Sequence, residues 1–420
     1  MTGDLWRRGI GCQTLLEMLT FEEARGKIIE QLGKRKGPFA TAVVSVWEAL
    51  GLVLAEEVKT DREYPPFDRS TRDGYAVRAK EVAPDAKLKC VGEIKAGDTV
   101  TEPLAAGTCV QIMTGAAIPR GADAVVMIEH TQREGEVVRF ERAAQPGQNI
   151  VPRGSEAAAG QTLLRPGMRL GYAELALAAQ VGAAELQCAR KPRVAILSTG
   201  DEVVPVEVAP GAFQIRNSNS VSLAAQVRIA GGEPVALGNA ADRVEELGEK
   251  IERGLKEDVL VLSGGVSMGK YDLVEKVLKA MGAEFYFDAV AIRPGKPAVF
   301  GMCQGKPVFG LPGNPVSTMV TFELFVPPAI DLLNGAEARP LPLVEARLGE
   351  ALSEKLGLAH FLPARVEWRG GAPEVKALKW QGSGDIAALA KANCFLVVPA
   401  DRDKIAAGER VSVLLRKDVV

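Results

Sequence analysis

From Pro192 onward the chain alternates short apolar runs with helix-length amphipathic segments, and most runs end in a loop of small residues. RVAILSTG precedes a helical stretch at about 217–230, and EPVALGNA one at about 242–256. DVLVLSGG precedes one at about 271–281, AEFYFDAVAI follows, and KPVFGLPGNP leads into one from about 315. The runs lack a period of two, as expected for strands buried on both faces. The segment therefore predicts a mostly parallel sheet with helices on either side. In such sheets ligands sit beyond the carboxyl ends of the strands, which is where the small-residue loops fall.

With 420 residues the chain is too long for one core, and its texture changes along its length. A helix is predicted over 20–34, with Thr20 as N-cap and Glu23 completing a capping box. The apolar spacing of SVWEALGLVLAEEV predicts a second helix within 39–59. From Tyr64 to about 150 the runs YAV, KLKCVGEI, GTCVQIM, DAVVMIEHT and EVVRFE, separated by Gly and Pro, predict a small β domain. A helical segment, GYAELALAAQVGA, returns after Gly160. The two helical regions are expected to pack together, which makes the β segment an insertion between two halves of one domain. Beyond a Pro-rich linker at 339–342, a last β-rich segment of three or four strands runs from PLPLVEARL to RVSVLLR.

The residue inventory narrows the chemistry. The two histidines, His130 and His360, are far apart, which excludes a catalytic triad or a multi-histidine metal site. The six cysteines are scattered without a CxxC pair, so reduced buried thiols are expected rather than a zinc site or a disulfide framework. A net charge of −2 and 5% aromatics argue against nucleic acid as a partner. No run reaches the uninterrupted apolar length of a membrane span, and residues 1–17 make a poor signal peptide. A cytoplasmic chain is the expectation. Carboxylates, hydroxyls, Lys, Arg and backbone amides are left to do the work.

Three predicted strand-end loops carry such groups. Ser198-Thr199-Gly200-Asp201-Glu202 lets the backbone approach an anion and offers two acids for a hard metal ion, although alone it reads as an ordinary turn. Ser263-Gly264-Gly265-Val266-Ser267-Met268-Gly269 offers backbone N–H groups to a phosphate, and Asp272 beyond it reads equally as a helix cap. Pro312-Gly313-Asn314-Pro315 is a rigid turn with Pro315 suited to a first helical turn. Arg293 and Lys296, in RPGKP, are able to neutralise a phosphate or an oxyanion, though a solvated turn explains them alone. Together the loops predict a phosphate-bearing ligand with a divalent cation.

The motifs PPFDRSTRDGYAV, QIMTGAAIPRGADAVVMIEHT, ILSTGDE, LSGGVSMGKYD, RPGKPAVFG and FGLPGNPVS, in this order, resemble the molybdopterin molybdotransferase family, relatives of the gephyrin E domain. The likeness runs from about Met18 to the C-terminus. It implies a multidomain α/β plus β chain with an N-terminal helical and mixed domain at 18–55 and 148–187. A β-rich domain is inserted at 56–147, a parallel-sheet, molybdopterin-binding α/β domain spans 188–334, and a β-barrel domain fills 335–420. It also implies a homodimer whose active site lies between the α/β region of one subunit and the inserted region of the other.

The resemblance further implies that adenylylated molybdopterin binds with Mg²⁺, that molybdate enters, and that AMP leaves as molybdenum cofactor forms. A molybdopterin adenylyltransferase is then a partner. By likeness, Glu202, Asp242, Asp272, Asp73 and Thr114 are functional, and the first three are expected to hold the metal. Thr199, Gly200, Ser263, Gly264, Gly265, Ser267, Gly269, Arg293, Lys296, Pro312, Gly313, Asn314, Pro315 and Ser383 are expected to contact the substrates. The chain departs from the family pattern at Val151 and Leu358, where relatives carry Arg, at Glu156 for Asp, at Ala289 for Lys, and at Arg293 for Lys. Two alternatives stay open: an adenylyltransferase, which shares the α/β region but is usually a short single domain, and a non-catalytic scaffold.

Overall fold

A computed structural model describes residues 18–34, 40–265 and 273–419. Helix α1 (Phe21–Gly33) starts on the expected capping box, with Glu23 N–H donating to Thr20 Oγ1 at 3.2 Å and Thr20 N–H to Glu23 Oε2 at 2.8 Å. Its buried stripe of Phe21, Ala24, Ile28 and Leu32 joins the core of the α/β region. The ring of Phe21 also meets Phe361 of the C-terminal region edge-on at 5.3 Å.

The helix expected within 39–59 does not form. Thr41–Ser45 is a strand paired antiparallel with Glu185–Ala189, and Gly51 follows it at φ +77°. The apolar spacing fits a helix, but Thr41, Val43 and Val44 favour extended backbone, and Gly51 ends any helical run. Hydrogen bonds to a distant segment of the same chain take the place of helical ones: Gly51 N–H to Leu170 O at 2.7 Å and Leu54 N–H to Met168 O at 2.8 Å. The two N-terminal stretches are thus joined by strands, with helix α2 (Tyr172–Gln180) packed beside them.

Between them six strands form a separate sheet in the order Ala124–Met127, Gly74–Val77, Thr108–Ile112, Lys87–Ile94, Val137–Phe140, Thr131–Glu134. Every β run expected here is present.

In the α/β region, Glu233–Ala240, Arg193–Thr199, Val259–Ser263 and Lys306–Leu311 are parallel neighbours in that order. The sheet is less parallel than expected, because Val299–Cys303 and Glu284–Phe287 extend it antiparallel. The cause is a two-residue hairpin turn at Gln304 and Gly305, both at positive φ, which returns the chain without a crossover helix. Helices α3 (Ser218–Ala230), α4 (Val244–Gly254), α5 (Leu273–Ala280) and α6 (Pro315–Leu333) cover the two faces. Alternate residues serve each face: Val194 and Ile196 enter the core with α3 and α6, while Ala195 and Leu197 enter the core with α4 and α5. Helix α6, although interrupted by Glu323 and Asp331, is long and apolar enough to cross a membrane by length and composition, and 78% of that stretch is buried in this core.

The C-terminal region closes as a barrel of five strands. Ala359–Arg369 pairs with both Ala372–Ala377 and Cys394–Val398, and Leu343–Leu348 and Arg410–Leu415 complete the circuit, with α7 (Ile386–Lys391) alongside. Ile292–Arg293 adds to it in parallel against Ala359–His360. The regions also meet at Asp331, wholly buried on α6. Its carboxylate accepts from Arg169 Nη2 at 2.9 Å and from Arg339 N, Nε and Nη2 at 3.0, 3.0 and 2.7 Å. Removing one partner of such a buried pair costs about 3–5 kcal/mol, so this junction holds the regions in place around the sheet.

Candidate active site

The strand ends of the α/β sheet converge as the loop arrangement predicts. Thr199 ends the first strand, and Gly200 turns the chain at φ +128° with the Glu202 carboxylate folded over it. A Cβ on Gly200 would lie 2.6 Å from Glu202 Oε2. Gly264 and Gly265, at φ +91° and +66°, press against Thr199. A Cβ on either would come within 2.9 Å of Thr199 O or 2.8 Å of Thr199 Oγ1. These glycines are required both by conformation and by close approach. Gly264 N–H donates to Leu311 O at 3.1 Å, which ties the second loop to the Pro312–Pro315 turn.

Between these loops lies a cleft of about 440 Å³. Thr199, Gly200, Glu202, Asp242, Ser263, Gly264 and Gly265 line it, together with Pro312, Gly313, Asn314 and Pro315. Partial burial, then the neighbouring carboxylates of Asp201 and Glu202, push the Asp242 carboxyl above the ordinary aspartate range. Among the described residues no three acidic side chains converge closely enough to enclose an ion. Asp272, the third expected ligand, and the loop residues Ser267 and Gly269 lie outside the described residues.

A second cleft of about 670 Å³ adjoins the first and shares Pro297, Pro312 and Asn314 with it. Arg293, Lys296 and Ser383 line this one. Val316 N–H at the start of α6 donates to Ser383 O at 2.9 Å, which docks the 381–384 segment against the turn. Leu358 lines it too, so two of the positions at which the sequence motifs depart from the family pattern, Arg293 and Leu358, fall inside a candidate site.

Asp73 and Thr114 meet each other but line neither cleft. Thr114 N–H and Oγ1–H donate to Asp73 Oδ1 at 2.7 and 2.8 Å, and these bonds, the backbone one first, hold the carboxyl below the usual range.

The sequence reading missed the start of α3. Arg216, Asn217, Ser218 and Asn219 line the first cleft. Asn217 caps α3 by accepting from Ser220 N–H at 3.0 Å, and it accepts a second bond from Ser198 Oγ–H at 3.1 Å. Asn219 Nδ2 donates to Ser263 Oγ and Gly313 O, both at 2.7 Å, and so bridges the second and third loops. Asn239 Nδ2 donates to Gly200 O at 2.8 Å. Thr199 Oγ1, Asn219 Oδ1 and Asn239 Oδ1 are buried without a partner among the described residues. Unpaired buried polar atoms are rare in folded chains, and two of these three belong to residues that line the first cleft, Thr199 and Asn219, which suits a ligand site. The run RNSNS at 216–220 was the available signal.

Comparison with known proteins accounts for nearly all of the chain. Residues 19–182 match the MoeA N-terminal region (domain I and II), residues 195–331 a probable molybdopterin binding domain, and residues 345–415 the MoeA C-terminal region (domain IV). The molybdopterin molybdenumtransferase of Haemophilus influenzae is 35% identical over 400 residues, covering 94% of this chain and 98% of that one. The chain belongs to the MoeA family. Another relative, the molybdopterin molybdenumtransferase of Bacillus subtilis, is 35% identical over 392 residues and 90% of each chain. Among solved structures, a MoeA protein from Pyrococcus horikoshii aligns with a TM-score of 0.79 at 30% identity, covering 95% of this chain and 100% of that one. The inserted sheet, the α/β region and the closed barrel are thus the parts of a MoeA-family architecture.

Proposed function

We propose that this MoeA-family chain is a molybdopterin molybdenumtransferase, which inserts molybdate into adenylylated molybdopterin and releases AMP to give molybdenum cofactor. The observation that carries the reading is the pair of adjoining clefts at the strand ends, one lined by glycine amides and acids and the other by Arg293 and Lys296. Family membership supplies the reaction class. The N- and C-terminal regions that flank the α/β region favour this reading over an adenylyltransferase.

In this reading the loops at Thr199–Gly200 and Ser263–Gly265, with Ser267 and Gly269 beyond, and the Pro312–Pro315 turn hold the phosphate-bearing substrate through backbone N–H groups. Arg293, Lys296 and Ser383 hold the molybdate oxyanion. The crowding of Asp242 by Asp201 and Glu202 is relieved by a hard divalent cation. Mg²⁺ is usually held by one or two carboxylates plus substrate phosphates, so an open pair of acids suits it. Glu202 and Asp242, with Asp272, are its proposed ligands. Bound there, Mg²⁺ supplies charge neutralisation at the phosphate bridge. Asp73 and Thr114 line neither cleft of their own chain, which fits a homodimer in which the partner's insert completes the site. A molybdopterin adenylyltransferase supplies the substrate, and the reaction takes place in the cytoplasm.

The test is AMP release from adenylylated molybdopterin, with and without Mg²⁺, molybdate and tungstate. Release that depends on the oxyanion and yields active cofactor is the expected result. A folded protein that releases no AMP under any of these conditions overturns the proposal in favour of a scaffold.

A further inference from the structure

Away from both clefts, the inserted sheet carries two thiols that the proposed reaction does not use. Cys90 and Cys109 are direct register partners on Lys87–Ile94 and Thr108–Ile112, neighbouring parallel strands in the middle of the sheet. Both enter one small core with Tyr75, Val138 and Phe140, Cys109 wholly buried and Cys90 nearly so. We propose that Cys90 and Cys109 are a reversible redox pair, closing to a disulfide when a peroxide or a small-molecule disulfide oxidises the protein.

The geometry suits closure. Neighbouring strands run about 4.8 Å apart, inside the Cα separation of roughly 4.4–6.8 Å that a disulfide spans. Register partners on adjacent parallel strands also point to the same face. The pairing register slips between Cys90 and Glu93, so the ladder is interrupted directly beside Cys90. The two side chains already interact: burial first, and then the charge and hydrogen bonding of Cys90, push the Cys109 thiol up to about 12.

The pair is asymmetric, which assigns the roles. Arg133, on Thr131–Glu134, is exposed and donates to Gly135 O and Gln111 Oε1 at 3.0 and 2.8 Å, and the charge of Cys90 and then a hydrogen bond with Tyr75 hold its guanidinium above its usual range. A cation beside a sulfur is the setting of reactive cysteines. Cys90 Sγ–H donates to Gly92 O at 3.4 Å. Cys90 is 7% exposed where Cys109 is wholly buried, so an oxidant meets Cys90 first, which makes Cys90 the attacking thiol and Cys109 the resolving one.

With hydrogen peroxide, the Cys90 sulfur attacks one oxygen, the O–O bond breaks, and Cys90 becomes a sulfenic acid as one water leaves. The Cys109 sulfur then attacks the Cys90 sulfur, the S–O bond breaks, and a second water leaves with the Cys109 proton. Two thiols lose two electrons and two protons in all, and the peroxide is reduced to two waters. With a small disulfide, a mixed disulfide on Cys90 is resolved by Cys109 and two small thiols are released.

The experiment treats the full-length protein with stoichiometric hydrogen peroxide and maps its peptides by mass spectrometry without reduction. The expected product is a linked Cys90–Cys109 peptide that has lost two hydrogens and is restored by dithiothreitol. In C109S, dimedone should trap a sulfenic acid on Cys90. Where C109S fails to fold, differential alkylation of the oxidised wild-type protein decides the question. If both cysteines stay separately alkylatable after oxidation, or Cys90 goes on to sulfinic acid beside an intact Cys109 thiol, the proposal is overturned.

Discussion

The two clefts share a wall of Pro297, Pro312 and Asn314, yet they offer a ligand opposite things. The first presents glycine backbone and crowded carboxylates with one cation, Arg216, and the second presents Arg293 and Lys296 and no carboxylate among its described lining residues. An oxyanion and a cation-bridged phosphate have conflicting electrostatic needs, and a single mixed pocket would serve both badly. In the proposed reading, placing the acids on one side of a proline wall and Arg293 and Lys296 on the other holds both ligands within reach of each other. The difference teaches that the turn at Pro312–Pro315 is a divider as well as a support.

That division is open to attack. The largest effect is expected from Asp242→Asn, which should lower Mg²⁺-dependent AMP release by roughly 10²–10³-fold and leave molybdate binding unchanged. Equal loss of both, measured by AMP release and calorimetry, would mean the clefts are not separate. The same acid predicts a pH dependence for the metal. Because the Asp242 carboxyl lies above the ordinary range, protons compete with Mg²⁺ there earlier than at a free aspartate. Mg²⁺ affinity should therefore fall as pH falls through that raised pKa, and in Asp242→Asn this step should vanish.

Next in size is Lys296→Ala. A hydrogen bond to a charged group is worth about 1.5–3 kcal/mol, so the KM for molybdate should rise roughly 10- to 100-fold while AMP affinity holds. Leu358→Arg tests the same cleft from the other direction by adding a cation to its lining. An exposed charge pairing contributes about 0.2–1 kcal/mol, so molybdate affinity should improve by no more than a few-fold. No gain would place Leu358 away from the oxyanion path.

The smallest effect belongs to the insert. Thr114→Val removes the side-chain bond to Asp73 but keeps the stronger backbone one, so the Asp73 pKa, followed by NMR, should rise part of the way to its usual value. Asp73 has a depressed pKa when folded, so its stabilisation is present above the unfolded pKa and is lost as pH falls through the folded one. The variant should narrow that window.

Much of this site was legible in the residues. RVAILSTG, DVLVLSGG and KPVFGLPGNP announce their strands because doubly buried strands are apolar throughout, and their loops because only glycine tolerates the positive φ and close packing seen at Gly264 and Gly265. The run at 45–58 misled for a physical reason: its apolar spacing fits a helix, but its backbone bonds cross to residues more than a hundred positions away. Asn217 and Asn219 were hidden because a helix cap and a cleft wall use the same residue types. The partition of Lys296 from Asp242 was hidden as well, since it depends on how the 381–384 segment docks on α6. The pairing of Cys90 with Cys109 depends on strand register, which no local pattern records.

The short strand Ile292–Arg293 belongs by sequence to the α/β region but hydrogen-bonds with the barrel. The regions are therefore not interchangeable cassettes. A truncation that ends before the barrel strands keeps every acid and glycine of the first cleft, yet it strips Arg293 of its backbone partner at His360 and removes Ser383 entirely. Such a fragment should still take up AMP and lose its hold on the oxyanion, which sets a limit on how this fold can be cut and recombined.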